Sequence, residues 1–178
     1  DLLSSCASRQ LEDVTFRRGI VSVDNLFDCA AKYFRNTSKG KAFSVSLEIS
    51  PSEERITGDF ILLRFLLESL IDEALSFSAD GELYLKAEVD EEEYIRFGFT
   101  DKRRNKTQEE LNLLFYPDLN RMTATAGSGE LKETEYLICK QIIRDHDEFV
   151  GRRGCRIYAE PAVGGGFTVY FTIPKRKR

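Results

Sequence analysis

His146 is the only histidine in the 178 residues, so no multi-histidine metal site can form within one chain. The four cysteines, Cys6, Cys29, Cys139 and Cys155, contain no CxxC pair. They read as reduced, mostly buried thiols of an intracellular protein. Lys102-Arg103-Arg104, with Lys106 close by, is a basic run after a strand. It reads either as an attractor of phosphate or of an acidic partner face, or as a solvated loop. The Gly164-Gly165-Gly166 run lacks the flanking spacing of a nucleotide-binding glycine loop and reads as a turn. Two carboxylates remain as candidates by position. Glu73 sits inside a long apolar helix, where the bland reading is a solvated or salt-bridged residue paired with a nearby arginine, and Asp101 ends a strand, where the bland reading is a turn residue.

Composition bounds what these residues can serve. Hydrophobic residues make up 42% and charged residues 31% of the chain, the balance of a folded globular domain rather than a disordered one. A chain of this length removes about 70% of its unfolded surface from water and needs no cross-links to fold. The net charge of −4 argues against a dedicated nucleic-acid binder. No apolar run reaches membrane-spanning length, and neither a signal peptide nor membrane contact by this segment is expected. The chain opens at Asp1 with Met122 as its sole methionine, and is expected to be a domain of a larger protein.

The elements that position the candidates follow from periodicity. Residues 1–13 read as a linker or the end of an upstream helix, residues 14–174 as one domain, and Lys175–Arg178 as a basic tail that frays. A short strand lies within 14–23, and a helix capped by Asp24 carries Leu26, Phe27, Ala30, Ala31 and Phe34 on one stripe. Phe43, Val45, Leu47 and Ile49 alternate with polar residues as a strand. Arg55-Ile56-Thr57 is a short strand, and Asp59 caps an almost wholly apolar, hence central, helix from Phe60 to Phe77. Two strands flank the acidic turn Asp90–Glu93. A helix starts at Thr107 and carries Leu111, Leu114 and Phe115; another runs from Leu131 to His146. A last hairpin joins Gly154–Glu160 to Phe167–Ile173. The order implies a two-layer α/β (α+β) sandwich, with helices on one face of a mixed, largely antiparallel sheet.

This succession resembles the ATP-binding catalytic domain of sensor histidine kinases, within the GHKL superfamily shared with DNA gyrase and the large ATP-dependent chaperones. Six landmarks carry the resemblance over roughly residues 14–174. Ile56-Thr57-Gly58-Asp59 with Leu62, Leu63 and Leu66 resembles the entry to the family's central helix. Leu70-Ile71-Asp72-Glu73-Ala74-Leu75-Ser76-Phe77-Ser78 is similar to its LLxNAxKFS box. Phe99-Thr100-Asp101 matches the strand end of its DxGxG box, and Glu109–Phe115 the helix that follows. Ile138–His146 and Gly154–Pro174 match its last helix and terminal hairpin.

The resemblance implies ATP and Mg²⁺ as cofactors, with Asp101 accepting a hydrogen bond from the adenine amino group. Glu73 stands where the family has the asparagine that ligates magnesium; a carboxylate oxygen is also a hard ligand for that ion. Ser69 occupies the general-base position of some relatives and cannot act as one, so no catalytic residue is assigned. Arg103 and Asn105 replace the glycines after the aspartate, with the direction of the arginine side chain left open. The lid glycines fall on Glu133-Thr134-Glu135-Tyr136, where Glu130, Glu133 and Glu135 would repel a triphosphate. Gly127 and Gly129 are the candidates for a displaced lid motif, which requires the last helix to be one turn longer. His146 matches a histidine at the end of that helix, where it suits the helix dipole; it is not read as a phosphate acceptor.

These departures imply a signalling module of the histidine-kinase type whose nucleotide site is degenerate, with weak or absent ATP binding. Its role would be regulatory, inside a larger cytoplasmic or membrane-anchored sensor. The expected partners are other domains of the same sensor and a response regulator, the intact protein being a homodimer. The alternatives are an active kinase domain that phosphorylates a histidine on an upstream helical hairpin, and a plain protein-binding scaffold. An exposed apolar patch at Leu111–Tyr116 would favour the scaffold.

Overall fold

The computed structural model describes residues 15–91, 93–116, 130–150 and 154–176, with backbone alone for 130–133. Strand β1 (Gly19–Ser22) leads directly into helix α1 (Val23–Ser38), followed by β2 (Val45–Ile49) and β3 (Arg55–Gly58). The central helix α2 (Phe60–Ser76) precedes the hairpin of β4 (Gly81–Asp90) and β5 (Tyr94–Asp101). Helices α3 (Gln108–Phe115) and α4 (Glu130–Phe149) and the hairpin of β6 (Ile157–Pro161) and β7 (Phe167–Pro174) complete the described chain.

Five strands form the main sheet in the order β2-β4-β5-β7-β6. The β2–β4 pair is parallel and the others antiparallel, so the sheet is mixed. Strands β1 and β3 form a separate antiparallel ribbon. Alternation places Leu83, Leu85, Ile95, Phe97, Phe99, Val169, Phe171 and Ile173 in the core, where Phe97 stacks on Phe171 at 4.6 Å. Helix α2 buries leucines over most of its circumference because it packs against both α1 and α4, which leaves only the narrow stripe of Arg64, Glu68, Asp72 and Ser76 as a polar face. Its first turn is closed by Asp59, whose Oδ1 accepts the Leu62 amide at 3.1 Å and whose Oδ2 accepts the Arg17 amide.

Three local expectations change. The cap of α1 is Ser22 rather than Asp24, because β1 passes into the helix without a loop; the Ser22 hydroxyl accepts the Asn25 amide. Asp24 instead accepts the Ser52 amide. Lys175 and Arg176 do not fray: the Lys175 amide donates to Glu93, the Arg176 amide to Arg55, and the Lys175 ammonium pairs with Glu54. Leu111 and Phe115 are buried, so the apolar face of α3 is already covered and only Tyr116, at its end, is exposed.

Candidate functional site

The C-terminal ends of α2 and β5 lie side by side, and each contributes one buried carboxylate. Glu73 is 5% exposed and Asp101 1%. Between them lie the two arginines that follow Asp101. The chain turns inward there, as the Arg103 amide donates back to Asp101 Oδ1 at 2.9 Å. Neither sequence reading of the basic run holds for Arg103 and Arg104, whose side chains are 1% and 12% exposed. Lys102 does stay at the surface, donating to the carbonyls of Val163 and Gly165.

Arg103 has every N–H engaged. Its Nε and Nη2 donate to Asp101 Oδ1 and Oδ2 at 3.0 Å each. Nη1 donates to the Phe77 and Ala79 carbonyls at 2.9 and 3.1 Å, and Nη2 also reaches the Ala74 carbonyl. A guanidinium offers five donors in a fixed fork, and this environment supplies five acceptors. Three of these are carbonyls of the last turn of α2 and the turn that follows it, where the end of the helix favours a cation. Gly81 makes the room: a Cβ there would sit 2.5 Å from Arg103 Cγ, and its φ of +145° belongs to glycine.

Arg104 joins the two carboxylates. Its Nε donates to Asp101 Oδ2 at 3.0 Å, while Nη1 and Nη2 donate to Glu73 Oε1 and Oε2 at 2.7 Å each. The bidentate fork is the strongest neutralising arrangement available to a carboxylate. The guanidinium carbon lies 5.2 Å from the ring centres of both Phe77 and Phe167. Burial opposes the arginine's charge, but the Glu73 carboxylate overrides it and raises the Arg104 pKa. Burial and the adjacent Glu73 likewise push the Tyr136 hydroxyl well up, so the phenol stays protonated beside the carboxylate. The cluster therefore holds two carboxylates and two guanidinium groups and is electrically balanced. Gly166 seals one side, since a Cβ there would lie 2.2 Å from the Asp101 carbonyl oxygen.

The structure thus brings Glu73 and Asp101 together through Arg104. Gly127 and Gly129 lie outside the described residues; α4 begins at Glu130, one turn before Glu133. Sequence reasoning left the direction of Arg103 open and gave Arg104 no place in the site, although a salt bridge to a nearby arginine was one reading of Glu73. The available signal was a pair of departures of opposite sign: Glu73 where the motif has a neutral amide, and Arg103 where it has a glycine. His146 is also corrected. It is wholly buried, its Nδ1 lies 2.8 Å from the Ile142 carbonyl, and its Nε2 accepts the Asp59 amide at 3.0 Å. Burial lowers its pKa, so it is a neutral tie between the end of α4 and the cap of α2 rather than a charge on the helix dipole. Among the described residues no group of histidine, cysteine and carboxylate side chains has the arrangement of a metal site. No helix among them is long and apolar enough to cross a membrane.

A helix layer on a mixed sheet, with a buried aspartate at a strand end facing the end of a central helix, defines a GHKL-type ATPase sandwich. The model of the histidine kinase-, DNA gyrase B- and HSP90-like ATPase family matches residues 58–177, and the chain belongs to that family. No curated protein matches the sequence. Among solved structures, the nucleotide-free catalytic domain of histidine kinase ThkA is 20% identical, with a TM-score of 0.66 over 89% of this chain and 98% of that one. The mycobacterial sensor histidine kinase MprB is 16% identical, with a TM-score of 0.65 over 91% of this chain and all of that one. ThkA in complex with the response regulator TrrA gives 18% identity and a TM-score of 0.68, covering 99% of this chain and 49% of the other. The fold is that of the catalytic domains of sensor histidine kinases.

Proposed function

We propose that this domain is a signal-transduction module of the sensor histidine kinase type whose nucleotide site is closed by its own arginines. One observation carries the reading: both carboxylates assigned to ligand are consumed internally. Asp101 has its two oxygens on Arg103 and Arg104, and Glu73 has both of its oxygens on Arg104. The adenine amino group and a magnesium ion would each have to displace a charge-assisted bond. The residues present therefore do not fit ATP–Mg²⁺, and no step is derived through it. The role is conformational or adhesive, within a larger sensor. Other domains of that sensor and a response regulator are the partners proposed, the kinase–TrrA complex being the relative that supports the second. A homodimeric, cytoplasmically exposed parent protein belongs to the same reading.

Isothermal titration with ADP and a non-hydrolysable ATP analogue, with and without Mg²⁺, tests it. The expected result is no heat and no thermal shift at millimolar nucleotide. Mg²⁺-dependent micromolar binding that is lost in both Asp101→Ala and Asp101→Asn would overturn the reading. It would establish the active kinase instead.

A further inference from the structure

A second concave region lies away from the arginine cluster, where the helix layer meets the edge of the sheet. It is a cavity of about 460 Å³ between the end of α3, the outer side of α4 and strand β6. Among the described residues three cationic side chains border it: Arg144 from α4, Arg156 just before β6, and Lys140, whose ammonium also donates to the Phe115 carbonyl at 2.7 Å. Among the described residues one carboxylate, Asp147, also lines it; its Oδ1 is turned to the Gly154 and Cys155 amides at 2.8 and 3.0 Å, and the three cations outweigh its charge. A chain that is acidic overall thus gathers positive charge at one groove. Tyr116 and Tyr158 supply aromatic walls, the Lys140 ammonium lying 3.7 Å from the Tyr116 ring centre.

The floor of this groove includes backbone that can pair. Strand β6 is the last strand of the sheet, hydrogen-bonded to β7 on one side only. The Arg156 carbonyl accepts the Thr172 amide, and the Ala162 amide donates to Gly166. In an antiparallel ladder bonded pairs alternate, so Tyr158 and Glu160 also face β7 while Ile157 and Ala159 face away from it, on the side where α3 packs against β6. The Ala159 carbonyl is taken by the Gln108 side chain, which marks one end of the available edge. The Ile157 N–H and C=O therefore point into the groove between the cations. An edge strand of this kind accepts an added strand, with main-chain bonds giving affinity and flanking side chains giving choice.

We propose that this groove binds a short acidic peptide in extended conformation, paired to β6 at Ile157, with its carboxylates on Lys140, Arg144 and Arg156. Charge complementarity selects this occupant: three cations beside the Ile157 backbone favour a carboxylate-bearing strand over an apolar or basic one. The site is separate from the arginine cluster, so it stands whether or not the domain binds nucleotide.

The test is fluorescence anisotropy of the full 178-residue chain with a fluorescein-labelled peptide of alternating glutamate and valine. A peptide of alternating lysine and valine is the counterpart. The acidic peptide is expected to bind at least tenfold more tightly, with affinity falling as salt is raised. The double charge reversal Arg144→Glu with Arg156→Glu should cost at least tenfold. Ile157→Pro removes the outward N–H and should weaken binding fivefold or more; a melting curve confirms that the variant is folded. Inorganic phosphate or a single-stranded oligonucleotide competing as well as unlabelled acidic peptide would reduce the groove to a general anion surface and overturn the proposal. Unchanged binding in the charge-reversed variant would overturn it as well.

Discussion

Removing the Arg104 side chain isolates the energetic meaning of the cluster. Arg104→Ala deletes one hydrogen bond to Asp101 and both bonds to Glu73. Asp101 keeps Arg103, but the Glu73 side chain, 7% exposed, loses its bidentate partner. Breaking a buried pair by removing one member typically costs about 3–5 kcal/mol, because the remaining charge is stranded. For a domain of this size each kcal/mol lowers Tm by roughly 2–4 °C, which gives a fall of about 6–20 °C. Urea unfolding followed by far-ultraviolet circular dichroism measures the difference directly.

A double variant gives the prediction a second arm. Glu73→Leu with Arg104→Leu removes both charges and should recover most of the loss, since an apolar pair of similar volume is often neutral there. A loss below about 1 kcal/mol in Arg104→Ala, the range of exposed ion pairs, would refute the reasoning, as would a double leucine variant no more stable than Arg104→Ala.

Three further outcomes are expected. Gly81→Ala should destabilise by about 1–3 kcal/mol, because the φ of +145° and the 2.5 Å approach to Arg103 Cγ both resist a Cβ; chemical denaturation checks it. For His146, burial lowers the folded pKa, while the nearby Asp59 and Asp145 partly oppose that shift. The unfolded chain therefore binds more protons just below the ordinary histidine range. This contribution to stability is complete above pH of about 6.5 and is lost below it, by at most about 1.4 kcal/mol per pH unit. Denaturation midpoints from pH 7.5 to 5.5 should show that slope in the parent and not in His146→Gln. Burial and the neighbouring Asp147 raise the Cys155 thiol to about 12. Its alkylation by iodoacetamide at pH 7.5 should be slower than that of a free thiol by roughly three orders of magnitude, read by mass spectrometry of the Cys155 peptide.

The fold was legible because its signals are periodic and redundant. Strict alternation marks Leu83, Leu85 and Ala87, and again Ile95, Phe97 and Phe99, and their register across the β4–β5 hairpin puts both sets on one face. The apolar run of α2 admits only a central helix. Cap chemistry was legible at Asp59 and Thr107, whose side chains accept amides of the following turn, and failed at Ser22, where no loop separates strand from helix. The site was less legible. A charge run carries no periodicity, and by composition Lys102, Arg103 and Arg104 are alike; what separates them is three carbonyls at the end of α2 and two carboxylates, all but Asp101 more than twenty residues away in the chain. Arginine rather than lysine at 103 is the trace of that difference, since only a planar fork can serve five acceptors at once.

The substitutions in the cluster are intelligible only together. Glu73 alone, in place of a neutral amide, would be a buried carboxylate beside Asp101, two like charges in one pocket. Arg104 alone would be a buried cation with a single shared acceptor at Asp101. With both present, each removes the penalty of the other, and Arg103 balances what remains of Asp101. On the proposed reading, removing the Arg104 side chain does not reopen a nucleotide site, because Glu73 would then face the phosphates with like charge; returning Glu73 to asparagine takes away the bidentate partner of Arg104 and leaves its bond to Asp101. On the proposed reading, a single exchange from either end therefore passes through a form destabilised by about 3–5 kcal/mol, a large share of the 5–15 kcal/mol by which a domain is stable. Coupling of that size makes the closed cluster a self-maintaining feature of the fold, and it is measurable as the interaction energy of the Glu73–Arg104 double-mutant cycle.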